Sequence, residues 1–487
     1  MADNQRLFAI QRAPPYRSSL GIDRRHSGKK SYSSKSYQIE THESMPKLSQ
    51  ASTKSSAPLA MFCHTITSDM KKVFISLSLV LFSLPSMAQN YDLLLKGGHL
   101  IDPKNNINGR RDVAITDGKI AAVSSNIPAN QAKKVIDVSR FYITPGLVDI
   151  HVHVFAGTTG TDLAGGLASL IPDHHLFQTG VTTAVDAGSS GYKNFPEFRD
   201  RIIKHSKAKI YALLNVGAYG MGGTSNEQDV SSMDAKATAA TALENKDIVV
   251  GIKTAHFAGP EWTPVERAVE AGTLANIPIM VDFGLIVPGR PIDKLFLEKM
   301  RPGDIYTHMY RPFDPFLDDK GIVQSFYQAA RKRGIIFDVG HGAGSLAFQW
   351  AVPAMKQGFG PDSISTDLHS GSVTGGMKSM LTVMSKFLNM GMGLEEVIRK
   401  STWNPAREIH REQHGHLTVG AEADIAVLRL DQGKFGFTDV ENDRMDGTQK
   451  LECELTLRAG RTVWDLNGIT SQDWKKRGRT LPRKQVY

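Results

Sequence analysis

From Phe141 onward, short apolar runs alternate with stretches of helical periodicity. The runs are ITPGLVDIHVHV (143–154), VTTAVDAG (181–188), KIYALLNVGA (209–218), DIVVGIKTAH (247–256), IPIMVDFG (277–284), DIYTHMY (304–310), IIFDVGHG (335–342) and DSISTDLH (362–369). Between them, VERAVEAGTLAN (265–276) and VQSFYQAARKRG (323–334) space their apolar positions as amphipathic helices do. They stop at Asn276 and Gly334, residue types that end helices. Eight buried strands with intervening helices predict an α/β chain folded as a (β/α)8 TIM barrel over 141–414. An open doubly wound sheet is the alternative, but no GxGxxG opens the first unit.

The flanks follow a different rhythm. YDLLLKGGHLID (91–102) and RDVAITDGKIAAVSS (111–125) alternate apolar and polar residues, with Asp117-Gly118 as a hairpin turn. AEADIAVLRL (421–430) and LECELTLRAGRTVWDL (451–466) have the same character. Both ends are therefore expected to build one small β-sandwich, from 89–140 and 415–468, followed by a basic tail over 469–487.

Residues 70–88 read as Met-Lys-Lys, an apolar run from Val73 to Pro85, then Ser86-Met87-Ala88. That is the layout of a secretory signal peptide cleaved after Ala88. The run is shorter than the ~20 residues a membrane span needs. The expectation is a periplasmic or secreted protein without a stable membrane anchor. Residues 1–69 are Ser-, Lys- and Arg-rich without sustained apolar periodicity, and read as disordered sequence upstream of a true start at Met70.

The chain of 487 residues carries a net charge of +9, which invites a nucleic-acid reading. The charge is concentrated at the front. Residues 1–69 hold ten Lys/Arg against five acids, and Lys71 and Lys72 follow, leaving +2 for the rest. No polyanion footprint remains, so no nucleic-acid partner is expected. The two cysteines, Cys63 and Cys453, support neither a disulfide framework nor a cysteine zinc site.

In a parallel barrel, chemistry gathers where strands end. The first run ends in His151-Val152-His153, and the two-residue strand period puts both imidazoles on one face. Later runs bring Lys253, Asp282, His308, Asp338 with His341, and Asp367 with His369. A lone histidine here would be an ordinary core residue, and Asp367 alone a helix cap. Together, imidazoles and carboxylates at one barrel mouth need compensation that packing does not give, and a divalent metal supplies it.

ITPGLVDIHVHV resembles the first barrel strand of the amidohydrolase superfamily, and more narrowly of its amidohydrolase/deacetylase metallohydrolases. GIKTAH, GDIYTH, FDVGHG, ISTDLH and TWNPAREI (402–409) follow in register, so the resemblance covers about residues 90–468. It implies that His151, His153 and His308 are metal ligands. It implies that Lys253 is carboxylated and bridges two ions, and that Asp367 both binds metal and shuttles the proton. Zinc, one or two ions per chain, is the expected cofactor. The implied reaction is hydrolysis of an amide or ester of a small acylated compound by a metal-bound hydroxide.

Asp282 stands where the family has histidine. It still counts among the metal ligands (His151, His153, Lys253, Asp282, His308, Asp367), although more oxygen donors favour manganese, iron or magnesium. Phe155 replaces the arginine of dihydroorotases, which argues against that activity. His341 and His369 are expected to touch substrate or support the ligands. A cyclic-amide hydrolase and a non-catalytic scaffold barrel are the alternatives, and the oligomeric state is open.

Overall fold

The computed structural model describes residues 90–157, 160–221 and 226–477. The expected signal peptide, the 1–69 segment and Cys63 lie outside the described residues.

The described residues open with β1 (Tyr91–Asp102), β2 (Ile107–Thr116), β3 (Lys119–Ser124), β4 (Ala132–Asp137) and β5 (Tyr142–Pro145). The barrel strands follow as β6 (Leu147–Val152), β7 (Val181–Gly191), β8 (Lys209–Asn215), β9 (Val249–Thr254), β10 (Ile279–Val281), β11 (Ile305–Tyr306) and β12 (Ile336–Phe337). β13 (Ile425–Thr438), β14 (Arg444–Arg458) and β15 (Arg461–Asp465) close the described chain.

β6 to β12 form one parallel sheet in sequence order. Every residue of β6, β7 and β9 is buried, as expected when a parallel sheet is covered on both faces. The helices behave as their sequence suggests. Thr263–Ala275 buries Val265, Ala268 and Ala271 and ends on Asn276 in the left-handed region. Ser325–Arg333 ends on Gly334 in the same conformation.

The eighth run does not form a regular strand. It touches β6 through the Val152–Leu368 bridge, and the stretch after β12 through Asp338–Ser363. His153 N donates to Leu368 O at 2.8 Å and Val339 N to Ser363 O at 3.2 Å, so the segment joins the two sheet edges. Side chains take over from ladder bonds here. Thr366 N donates to Asp149 Oδ1 (3.1 Å) and Gly340 N to Ser365 Oγ (2.9 Å).

The first run also departs from expectation, because it divides at Gly146. Tyr142–Pro145 pairs with β1 and β13 in the terminal sheet, whereas Leu147–Val152 enters the barrel. A Cβ on Gly146 would lie 2.1 Å from Thr182 Oγ1, so a side chain does not fit at this crossing. The two ends of the chain share one continuous eight-stranded sheet, ordered β15-β14-β13-β5-β1-β2-β3 with β4 on β1. That sheet has its own core, including Leu95, Val113, Ile143, Val427 and Leu455. No helix among the described residues is long and apolar enough to cross a membrane.

Candidate metal centre

His151 and His153 leave the end of β6 almost fully buried. Their Nε2 atoms lie 3.6 and 3.1 Å from Asp367 Oδ1. One ligand atom from each of these three residues falls within 4.8 Å of the others. Asp367 reaches this position with φ +51°, unusual for a residue with a side chain. Its neighbour Gly342 makes room for it, since a Cβ there would lie 2.1 Å from Asp367 Oδ2.

The outer ring nitrogens are all engaged. His308 Nδ1–H donates to the Gly340 carbonyl at 2.6 Å, which fixes the proton on Nδ1. His151 Nδ1 pairs with Thr307 Oγ1 at 2.9 Å, and that hydroxyl donates onward to Asp338 Oδ2 at 2.8 Å. A hydroxyl has one proton, so His151 must supply the one between them. His153 Nδ1 pairs with Ser189 Oγ at 2.9 Å. For His151 and His308 this leaves Nε2 without a proton, the tautomer a metal-binding histidine needs.

Lys253 is fully buried, 3.3 Å from His151 Nε2 and 3.5 Å from Met280 Sδ. Burial holds its amine below the ordinary lysine value. His308 packs its ring 4.9 Å from that of His151 and carries φ +65°. Asp282 stands apart from the triad. Its Oδ1 accepts from Arg311 Nη1 at 2.9 Å, and its Oδ2 lies 3.1 Å from His256 Nε2 and 3.6 Å from His308 Nε2.

His341 turns into the protein, with Nε2 2.5 Å from Lys386 Nζ. His369 caps the helix Ser370–Thr374 through Nδ1, and its Nε2 lies 3.9 Å from Asp367 Oδ2. Phe155 is core, its ring 4.9 Å from Phe198.

Electrostatics support an ionised Asp367 beside a neutral His151. Burial pushes the Asp367 carboxyl up, but the imidazoles that face it, with a hydrogen bond from His153, hold it well below the ordinary carboxylate value. Burial, then the Lys253 charge, drives the His151 imidazole well below its usual value. A neutral imidazole and a carboxylate are the protonation states that metal binding demands. The donor set therefore fits a divalent ion held by His151, His153 and Asp367. A second three-donor group, His414, Glu422 and Asp424, already holds the Arg458 guanidinium 2.8 Å from both acids and reads as an ion-pair cluster.

Comparison with known proteins agrees with this geometry. A model of the amidohydrolase family matches residues 342–463. A deacetylase of Agrobacterium fabrum is 35% identical over 336 residues, covering 67% of this chain and 80% of the relative. The chain belongs to the amidohydrolase family. A deacetylase of Enterococcus faecalis is 31% identical over 360 residues, 72% of this chain and 93% of its own. Among solved structures, one described as an adenine deaminase is 29% identical with TM-score 0.70, covering 77% of this chain and 100% of its own. One described as a dihydroorotase is 31% identical with TM-score 0.66, covering 77% and 99%.

This amidohydrolase is thus a metal-dependent hydrolase with an α/β fold around a parallel sheet. Several of its site residues had no sequence signal. Thr307 and Ser189 orient ligands that lie 156 and 36 positions away. Arg311 is buried against Asp282 from a loop whose sequence names no partner. Glu227 accepts from His256 Nδ1 at 2.9 Å across two loops.

Proposed function

We propose that this amidohydrolase hydrolyses an amide or ester of a small acylated compound, in the manner of a deacetylase. The observation that carries the reading is the convergence of His151, His153 and Asp367, with the outer histidine nitrogens tied back. A divalent ion held there, zinc being the first candidate, supplies Lewis acidity that polarises an acyl carbonyl and makes water nucleophilic near neutral pH.

The chain's own residues do the rest. Asp367 turns Oδ1 to the imidazoles, and Oδ2 faces His369. Oδ2 is the atom that accepts the proton of the attacking water and returns it to the leaving group. Thr307 and Ser189 keep the His151 and His153 rings from rotating. Loops after β6, β8, β10 and β11 expose Leu167, Tyr219, Leu285 and Phe313, apolar side chains available to an apolar portion of the substrate.

The deacetylase relatives favour an acetylated substrate, for which an acetylated amino or hydroxy acid is the first candidate. Cyclic-amide hydrolysis is the second reading, favoured by the dihydroorotase-like structure and opposed by Phe155 in the core. Periplasmic or secreted localisation rests on residues 70–88, and N-terminal sequencing of the mature protein tests it. Folding of the terminal sheet into a two-layer sandwich belongs to the same proposal.

Replacing Asp367 by Asn should lower turnover of acetylated amino and hydroxy acids by roughly 10²- to 10⁴-fold. Metal content should largely persist, because the amide oxygen remains a donor. Unchanged turnover would overturn the role given to Asp367.

A further inference from the structure

Asp282 sits at the barrel mouth, yet its carboxylate is already committed. Oδ1 accepts from Arg311 Nη1 (2.9 Å) and from Gly284 N (3.1 Å). Oδ2 lies against His256 Nε2 (3.1 Å), whose other nitrogen meets Glu227. Arg311 is itself fixed. Its Nη2 and Nε reach Asp314 Oδ1 at 2.8 and 3.1 Å, and Nη2 lies 3.2 Å from Tyr306 Oη. Its side chain is 4% exposed and carries a charge that proteins cannot remove.

A second ion on Asp282 would have to displace this guanidinium or share one carboxylate with it, and both side chains are almost fully buried. Like charges repel strongly there. Asp282 and His308 also fall outside the group of donors that converges at the mouth.

We propose that the Arg311 guanidinium, locked onto Asp282, takes the place of a second metal ion, so that the chain loads a single divalent ion at His151, His153 and Asp367. The inference rests on the metal reading given under Proposed function. His308 lies between the two positions, its Nε2 3.6 Å from Asp282 Oδ2 and its ring 4.9 Å from that of His151. Arg311 is a positioning residue here, since it acts through Asp282.

The test is a zinc count by elemental analysis on the purified full chain after reconstitution and removal of free zinc. The wild type should hold about one equivalent per chain. The double variant Asp282→His with Arg311→Gln should rise to about two, because it removes the guanidinium and adds a neutral donor. Two equivalents in the wild type would overturn the proposal. So would a folded double variant that still holds one, since Arg311 would then not be what excludes the second ion. If the double variant fails to fold, the wild-type count alone decides. A wild-type count of zero sinks the underlying metal reading instead, a failure distinct from a count of two.

Discussion

Thr307→Val removes one oxygen from a buried relay and leaves nearly the same shape. Thr307 is fully buried, and its hydroxyl links His151 Nδ1 (2.9 Å) to Asp338 Oδ2 (2.8 Å). Asp338 keeps two donors in the variant, Ser363 Oγ at 2.9 Å and Ser365 Oγ at 2.7 Å, so its carboxylate is not orphaned. His151 does lose its acceptor. With only Asp338 Oδ2, 3.8 Å away, to hold the proton on Nδ1, the ring can move it to Nε2 and lose the lone pair that faces Asp367. Losing such a support typically weakens metal affinity about 10- to 100-fold, or roughly 1.4 to 2.8 kcal/mol. The cost to the fold is two hydrogen bonds, one of them to a carboxyl group, roughly 2 to 4 kcal/mol. Competition for zinc against a chromophoric chelator reads the first quantity, and a melting curve of the metal-free protein reads the second. Wild-type zinc affinity in a folded Thr307→Val protein would refute the argument that the relay sets the tautomer.

Two further changes probe separate features. Glu408 is pushed up to about 8, chiefly by burial, and its Oε2 has no hydrogen-bond partner. The folded state thus keeps a proton that the unfolded chain releases near 4.5, so stability is greatest below that value and is lost as pH rises toward 8. Glu408→Gln should flatten this slope, and its stability should gain on the wild type between about pH 5 and pH 8 by up to a few kcal/mol, read from melting curves across that range; parallel pH profiles would contradict it. Gly342→Ala places a methyl where Asp367 Oδ2 now lies and forces φ +53° on an L-residue. It should cost about 1–3 kcal/mol of stability and abolish most hydrolysis, checked by melting and by turnover of an acetylated substrate.

Much of the site follows from local rules. His151 and His153 share a face because a strand repeats every two residues, and Asn276 and Gly334 stop helices because they tolerate the left-handed conformation. What stayed hidden is long-range or conformational. Asp282 reads as a ligand, and nothing in the sequence signals that Arg311 lies 2.9 Å from it, an encounter produced by loop packing. The run 143–154 looks like one strand because its apolar pattern is unbroken; only the crowding of Gly146 against Thr182 shows where the chain leaves one sheet for the other. The eighth run carries strand-like residues, but Asp149 and Ser365 capture its backbone partners.

The position of β5 between β1 and β13 has a consequence for synthesis. Thr144 Oγ1 donates to Ala426 O, a contact spanning 282 positions. At about 5–20 residues per second, the ribosome needs roughly 15 to 55 s to supply the β13 side of that pair after the β5 side has been made. Through that interval β5 presents an unpaired edge, the kind of surface that recruits other strands. A truncation before Ile425 leaves that edge permanently open.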